Sequence, residues 1–137
     1  MSLGTGLVGR TFPPTDPYLV SREKIAEFNL AIGAAPVGGG STAPLTFPIV
    51  VAFPAMAALL ADPDAGIELE HVLHRDQRFE QVRPVRAGDR LTATLTVDSV
   101  RSLAGVDLVS TRTEVDTTDG EHVVTAYATL VHRDGGP

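Results

Sequence analysis

Few residues in this chain are placed to move protons. His74 and Asp76 stand two apart, so on a regular strand both point to one face. A paired imidazole and carboxylate can do acid–base work. A surface salt bridge is the preferred reading of the pair, because no nucleophile or oxyanion feature accompanies it in sequence. His71 and His74 stand three apart, which on a strand turns them to opposite faces and prevents them from sharing an ion. His122 and His132 lie at opposite ends of the last expected strand. A metal centre needs convergent ligands, and the spacing of these histidines predicts none. Ser41 and Thr42 have no evident activating base.

Arg75, Arg78, Arg83, Arg86 and Arg90 gather five of the eleven basic residues into one stretch, with Asp76, Glu80 and Asp89 among them. Such a run reads first as a solvated surface. The functional reading is a patch, centred on Arg78, Arg83 and Arg86, for a phosphate-bearing ligand or an acidic carrier protein.

The stretch "FNLAIGAAPVGGGSTAPLTF", residues 28–47, holds no ionisable side chain. It joins two expected helices, a natural place for an active site, and is chemically empty. "GGGS" lacks the Gly-Lys-Ser/Thr ending of a phosphate loop and follows no strand. It is expected to be a flexible connector.

The elements that must position these residues follow from the pattern. Ser21 caps a helix with Glu23 in its first turn, and Ile25, Phe28 and Ile32 recur at helical spacing before Gly33 stops it. Thr46 is the expected N-cap of a second helix with Pro48 in its first turn. Ile49, Val50, Val51, Phe53, Met56, Leu59 and Leu60 make that helix apolar on every side, so it must be enclosed. Pro54 is expected to bend it. Residues 11–20, with three prolines, suit an irregular edge strand. Leu91, Ala93, Leu95 and Val97 alternate with Thr92, Thr94, Thr96 and Asp98 as a strand. Ala104-Gly105 turns the chain, and Asp119-Gly120 signals a two-residue hairpin. The last strand puts Val124, Ala126, Ala128 and Leu130 on one face, and its other face is not strongly polar either.

One apolar helix followed by antiparallel strands implies an α+β chain, a single hotdog domain over residues 1–137 in which the sheet wraps the helix. Residues 1–7 and 134–137 are expected to be disordered tails. An open sheet leaves an edge to protect, and pairing with a second subunit would protect it. The length of 137 residues suits one domain. The net charge of −6 argues against a nucleic-acid partner. The longest apolar run, residues 47–61, is too short to span a bilayer and is broken by Pro48 and Pro54. No secretory signal is expected. Cysteine is absent, which excludes disulfides and fits a cytoplasmic location.

"VGRTFPPTDPYLVSREKIAEF", "APLTF" and "DQRF…RPVRAGDRLT…SLAG" together resemble the MaoC-like hotdog dehydratases. Among these, the chain is most similar to the non-catalytic, substrate-binding subunit of (3R)-hydroxyacyl-ACP dehydratases and to short chains like the N-terminal part of FAS1-type dehydratases. In catalytic members the first helix ends in Gly-Asp-x-Asn-Pro-x-His, whose Asp and His act on water or on the acyl thioester. Here Gly33 matches the start, but Ala34 stands at the Asp position and Ala35-Pro36 follows. The His position falls within residues 37–40, where there is no histidine. At the second helix, catalytic members resemble Ala-His-Gly-Met, whereas this chain reads Ala43-Pro44-Leu45-Thr46. The resemblance therefore implies a vestigial loop at Gly33, Ala34, Ala35 and Pro36 with no catalytic residue of its own.

It further implies that Leu45, Thr46, Phe47, Val50, Val51 and Phe53 line part of an acyl tunnel. The substrate is then an acyl thioester of acyl carrier protein or coenzyme A, with no cofactor and no metal. The expected partner is a catalytic MaoC-like hotdog subunit, in fatty-acid-type or polyketide-type metabolism. The alternative is a homodimer that only binds acyl thioesters. A thioesterase is a further option, but residues 47–61 lack the carboxylate that many hotdog thioesterases carry on the enclosed helix.

Overall fold

The computed structural model describes residue 3 and residues 6–133. A short β1 (Tyr18–Leu19) precedes α1 (Arg22–Ile32) and α2 (Ile49–Ala61). Four long strands follow: β2 (Val72–Gln81), β3 (Arg90–Leu103), β4 (Val106–Thr117) and β5 (His122–Arg133). They form one sheet in the order β1-β3-β4-β5-β2, with every pairing antiparallel.

The first helix begins and ends where its residues require. Ser21 accepts a hydrogen bond from the Lys24 amide at 3.0 Å. Gly33 adopts φ +70°, and the Ala34 amide turns back to the Asn29 carbonyl at 2.9 Å. A left-handed residue at that position is cheap only for glycine. Ile25 is buried and Phe28 partly so, whereas Ile32 is half exposed.

The second helix departs from expectation at both its start and its surroundings. Pro48, not Thr46, is the residue before the first helical turn, and no side chain caps it. Only one flank is enclosed: Val51, Ala52, Ala55, Met56 and Leu59 pack inward, a stripe at helical spacing. The opposite flank, with Phe53, Pro54, Ala57 and Ala58, is exposed. The sheet covers one side of the helix and no more, chiefly through β3 and β4. The helix continues through Pro54.

The inner face of the sheet is apolar. Leu91, Ala93, Leu95 and Val97 are fully buried and lie opposite Thr117, Val115, Thr113 and Thr111 of β4. Those strands meet at Ala104-Gly105, where both residues have positive φ, the requirement of a type I′ hairpin. The β4–β5 loop is one residue longer than expected. Thr118, Asp119 and Gly120 form it, and the Thr117 amide donates to the Glu121 carbonyl at 2.8 Å. Residues 9–15 run along β3 in broken contact, with amides of Gly9, Phe12 and Thr15 reaching Val97, Leu95 and Ala93. This is the irregular edge that its prolines dictate. Of the expected tails, residues 1, 2, 4, 5 and 134–137 lie outside the described residues, while Leu3 and Leu7 are buried in the core.

The arrangement is a hotdog: a curled antiparallel sheet with its apolar face against one long helix. Its second edge, β2, presents ten residues with no strand on the far side among the described residues.

Candidate functional site

The loop between the helices is ordered, contrary to the expectation of a flexible connector. Gly38–Gly40 form a 3-10 turn. The Arg22 guanidinium donates to the Gly39 carbonyl at 2.9 Å, and Ser41 Oγ donates to the Gly38 carbonyl at 2.6 Å. The Ala43 amide donates to Val85, and the Ala87 amide donates to Ser41, both at 2.8 Å. Sequence composition suggested flexibility, but pairing with residues 85–87 supplies backbone partners from far along the chain.

Beside this loop lies a shallow groove of about 230 Å³ lined by Ala26, Asn29, Leu30, Ala34, Pro36 and Gly40. Its walls are nearly all apolar. Ala34, which the resemblance places at the position of the catalytic Asp, lines this groove with a methyl group, and alanine can neither give nor take a proton. The start of α2 is closed from Phe47 onward. The amides of Phe47, Ile49, Val50, Val51 and Ala52 all donate to nearby carbonyls, and Pro48 has none. A thioester oxygen would find no free donor among these five; the preceding Leu45 and Thr46 amides have no hydrogen-bond partner among the described residues.

The six residues expected to line an acyl tunnel separate in this chain. Val50 and Val51 border a cleft of about 310 Å³ with Thr15, Asp16, Pro17, Tyr18 and Pro54. Phe53 borders an apolar groove of about 240 Å³ with Ala57, Leu60, Ala61 and Leu69. Phe47 is wholly buried and meets Phe28 edge to face at 5.4 Å. Thr46 is exposed, and Leu45 is 74% exposed with its carbonyl accepting from Gln81 Nε2 at 3.1 Å.

His74 and Asp76 do not share a face. The register shifts between them, so that His74 opposes Leu130 while Asp76 opposes Thr129. One extra residue reverses every later side chain. His74 contacts Gln77 at 3.0 Å, and Asp76 approaches Arg75 at 3.9 Å.

The expected arginine patch is mostly engaged within the chain. Arg78 lies over the Tyr127 ring at 4.1 Å and pairs with Glu80 at 2.8 Å. Arg83 is largely buried and clamps Asp89 and Glu121, which holds its guanidinium even more firmly protonated than usual. Arg86 is exposed, and its guanidinium makes no ion pair among the described residues.

Two His–carboxylate contacts escaped the reading by sequence spacing. His122 Nδ1 meets Asp116 at 2.7 Å, and buried His132 faces buried Asp107 at 3.7 Å. Both join residues opposed across the β4–β5 hairpin. Counting outward from the Asp119-Gly120 turn would have found them.

Comparisons with known proteins bear on this arrangement. A family profile described as "FAS1-like, dehydratase domain region" matches residues 39–126. A UPF0336 protein of Streptomyces avermitilis is 47% identical, over 97% of this chain and 97% of its own. A chain of the C-terminally truncated HadBC (3R-hydroxyacyl-ACP dehydratase) complex of Mycobacterium tuberculosis superposes with a TM-score of 0.81. The two are 33% identical, and the match covers 94% of this chain and 99% of that one. A MaoC-like dehydratase superposes with the same score at 29% identity, covering 95% of this chain and 43% of that one. Among the described residues no helix is long and apolar enough to cross a membrane. Sequence match and superposition agree over nearly the whole length, and the chain therefore belongs to the FAS1-like dehydratase-region family, on a MaoC-like hotdog fold.

Proposed function

We propose that this chain is the substrate-binding, catalytically incomplete subunit of a heteromeric (3R)-hydroxyacyl-thioester dehydratase, working in the cytoplasm. The observation that carries this reading is the loop at residues 33–44. It is built and hydrogen-bonded in the place where dehydration needs an acid–base pair, and it offers none. Loss of a β-hydroxyl requires one group to take the α-proton and another to protonate the departing oxygen. A second hotdog subunit supplies that pair, and the amide for the thioester oxygen.

The chain contributes apolar surface to the acyl site. The exposed flank of α2 and the unpaired edge of β2 are where a partner covers it, because an open edge invites pairing and apolar ligand sites commonly form at such junctions. Superposition on a chain of a (3R)-hydroxyacyl-ACP dehydratase complex supports this role. The carried group is an acyl thioester of acyl carrier protein or coenzyme A.

The test is hydration of crotonyl and longer enoyl thioesters. The purified chain should give no turnover alone. Turnover should appear on adding a hotdog chain that carries Gly-Asp-x-Asn-Pro-x-His, and should exceed that of the added chain alone. Robust turnover by the lone chain sinks the proposal.

A further inference from the structure

Three side chains able to hold a cation meet where β5 ends and β2 begins. Glu68 precedes and His71 ends the 3-10 turn Leu69–His71, closed by the His71 amide donating to the Glu68 carbonyl at 2.8 Å. In such a turn, side chains three apart lie one above the other. His71 Nδ1 is accordingly 3.5 Å from Glu68 Oε1. The third comes from the sheet. His132 opposes Val72 in register, and its ring centre is 6.4 Å from that of His71. One ring nitrogen from each histidine and one Glu68 oxygen all lie within 4.8 Å of one another.

The surroundings of His132 fix how its ring is used. Its Nε2 accepts the Glu68 amide at 3.1 Å. The neutral ring thus keeps a lone pair on Nε2, and its proton sits on Nδ1, toward Asp107 Oδ2 at 3.7 Å. The other Asp107 oxygen accepts from Ser102 Oγ. Asp107 thus stands behind one ring nitrogen but beyond hydrogen-bond length, and a small shift of the ring would give it the carboxylate support typical of metal-bound imidazole. In addition, His71 Nδ1 and His132 Nδ1 are buried with no hydrogen-bond partner. Such orphaned polar atoms cost about 1–3 kcal/mol each, and a ligand that reorders the cluster removes part of that cost.

We propose that Glu68, His71 and His132 form a binding site for a divalent transition metal of the zinc class, with Asp107 as the residue that orients His132. Two imidazoles and a carboxylate are a common zinc donor set that leaves a fourth position open. Metal–ligand bonds of about 2.0–2.2 Å place tetrahedral donors roughly 3.4 Å apart, so the cluster must close by about an ångström. Glu68 and His71 are partly exposed and make that movement, while buried His132 stays fixed. The Glu68 amide gives up His132 Nε2 to the ion. The site joins the turn before β2 to the end of β5, and it does not depend on the dehydratase reading.

The experiment uses the full chain without an affinity tag. Calorimetric titration with Zn²⁺ should give one saturable ion per chain. Co²⁺ should give the intense visible absorption of a four-coordinate site, and Zn²⁺ should raise the unfolding temperature until a chelator reverses it. His71→Ala, on the exposed side, should keep the fold by circular dichroism and weaken Zn²⁺ binding at least tenfold. Asp107→Asn should weaken it about 10–100-fold, and His74→Ala should match the parent chain. Absence of saturable binding, or equal affinity in the parent and His71→Ala, overturns the proposal.

Discussion

Arg83 grips Asp89 with two parallel hydrogen bonds, of 2.9 and 3.1 Å, one to each carboxylate oxygen. The same guanidinium reaches Glu121 at 3.0 and 3.2 Å. Asp89 also accepts the Arg86 amide at 2.8 Å. One buried cation therefore ties the β2–β3 connection to the start of β5. It has no free donor face for a phosphate, and of the three arginines expected to meet a ligand Arg86 alone makes no ion pair among the described residues.

This clamp makes stability depend on pH in a defined direction. Burial pushes the Asp89 carboxyl up, but the Arg83 and Arg86 hydrogen bonds and their charges outweigh it and hold the carboxyl below its usual range. A carboxyl lowered in the folded state stabilises above its unfolded value, near 4, and that contribution is lost as pH falls through the lower folded value. Arg83→Met should cost about 1–3 kcal/mol at pH 7, the loss of charge-assisted hydrogen bonds from a mostly buried pair. The gap between parent and variant should shrink steadily below about pH 4. Urea unfolding at neutral and acidic pH checks it, and a gap that persists unchanged at pH 3 contradicts it.

The glycines of the empty loop are required one by one, for different reasons. Gly38 has φ +59°, and an added Cβ would stand 2.7 Å from Thr42 Oγ1. Gly39 has φ +66° with nothing within 4 Å. Gly39→Ala should cost only the left-handed backbone term, about 1–2 kcal/mol. Gly38→Ala should cost more, and adding Thr42→Ala should recover the excess but not the backbone term. Equal urea midpoints for the two single variants would show that the Thr42 contact is easily relieved.

Local rules reached far into this fold. The cap at Ser21, the stop at Gly33, the buried alternation of Leu91 to Val97 and the hairpin at Ala104-Gly105 each depend on residues close in sequence, and each stands as read. What stayed hidden depends on register or on distant partners. A single bulge at residue 75 turns His74 and Asp76 apart, and period-two counting has no way to sense an inserted residue. The order of the glycine loop comes from Val85 and Ala87, some forty residues downstream. The open flank of α2 stayed hidden because apolar residues all around a helix do not tell which of them the chain's own sheet reaches. The lack of ionisable side chains in residues 28–47 was legible because it is a matter of residue type alone.

The two phenylalanines assigned together to an acyl tunnel should behave differently. Phe47 is completely buried and packed edge to face on Phe28. Phe47→Ala should cost about 3–5 kcal/mol, the range for emptying an aromatic site in a core. Phe53 is 51% exposed on the open flank of α2, beside Leu60 and Leu69. Phe53→Ser should leave the lone chain within about 0.5 kcal/mol of the parent, as surface changes do. If a second hotdog subunit covers that flank, the same change removes apolar area from the junction and weakens assembly with the catalytic chain. Denaturation of the isolated chain and sedimentation of the mixed subunits separate these effects. A Phe53→Ser chain that assembles as tightly as the parent would place the junction elsewhere, on the β2 edge alone.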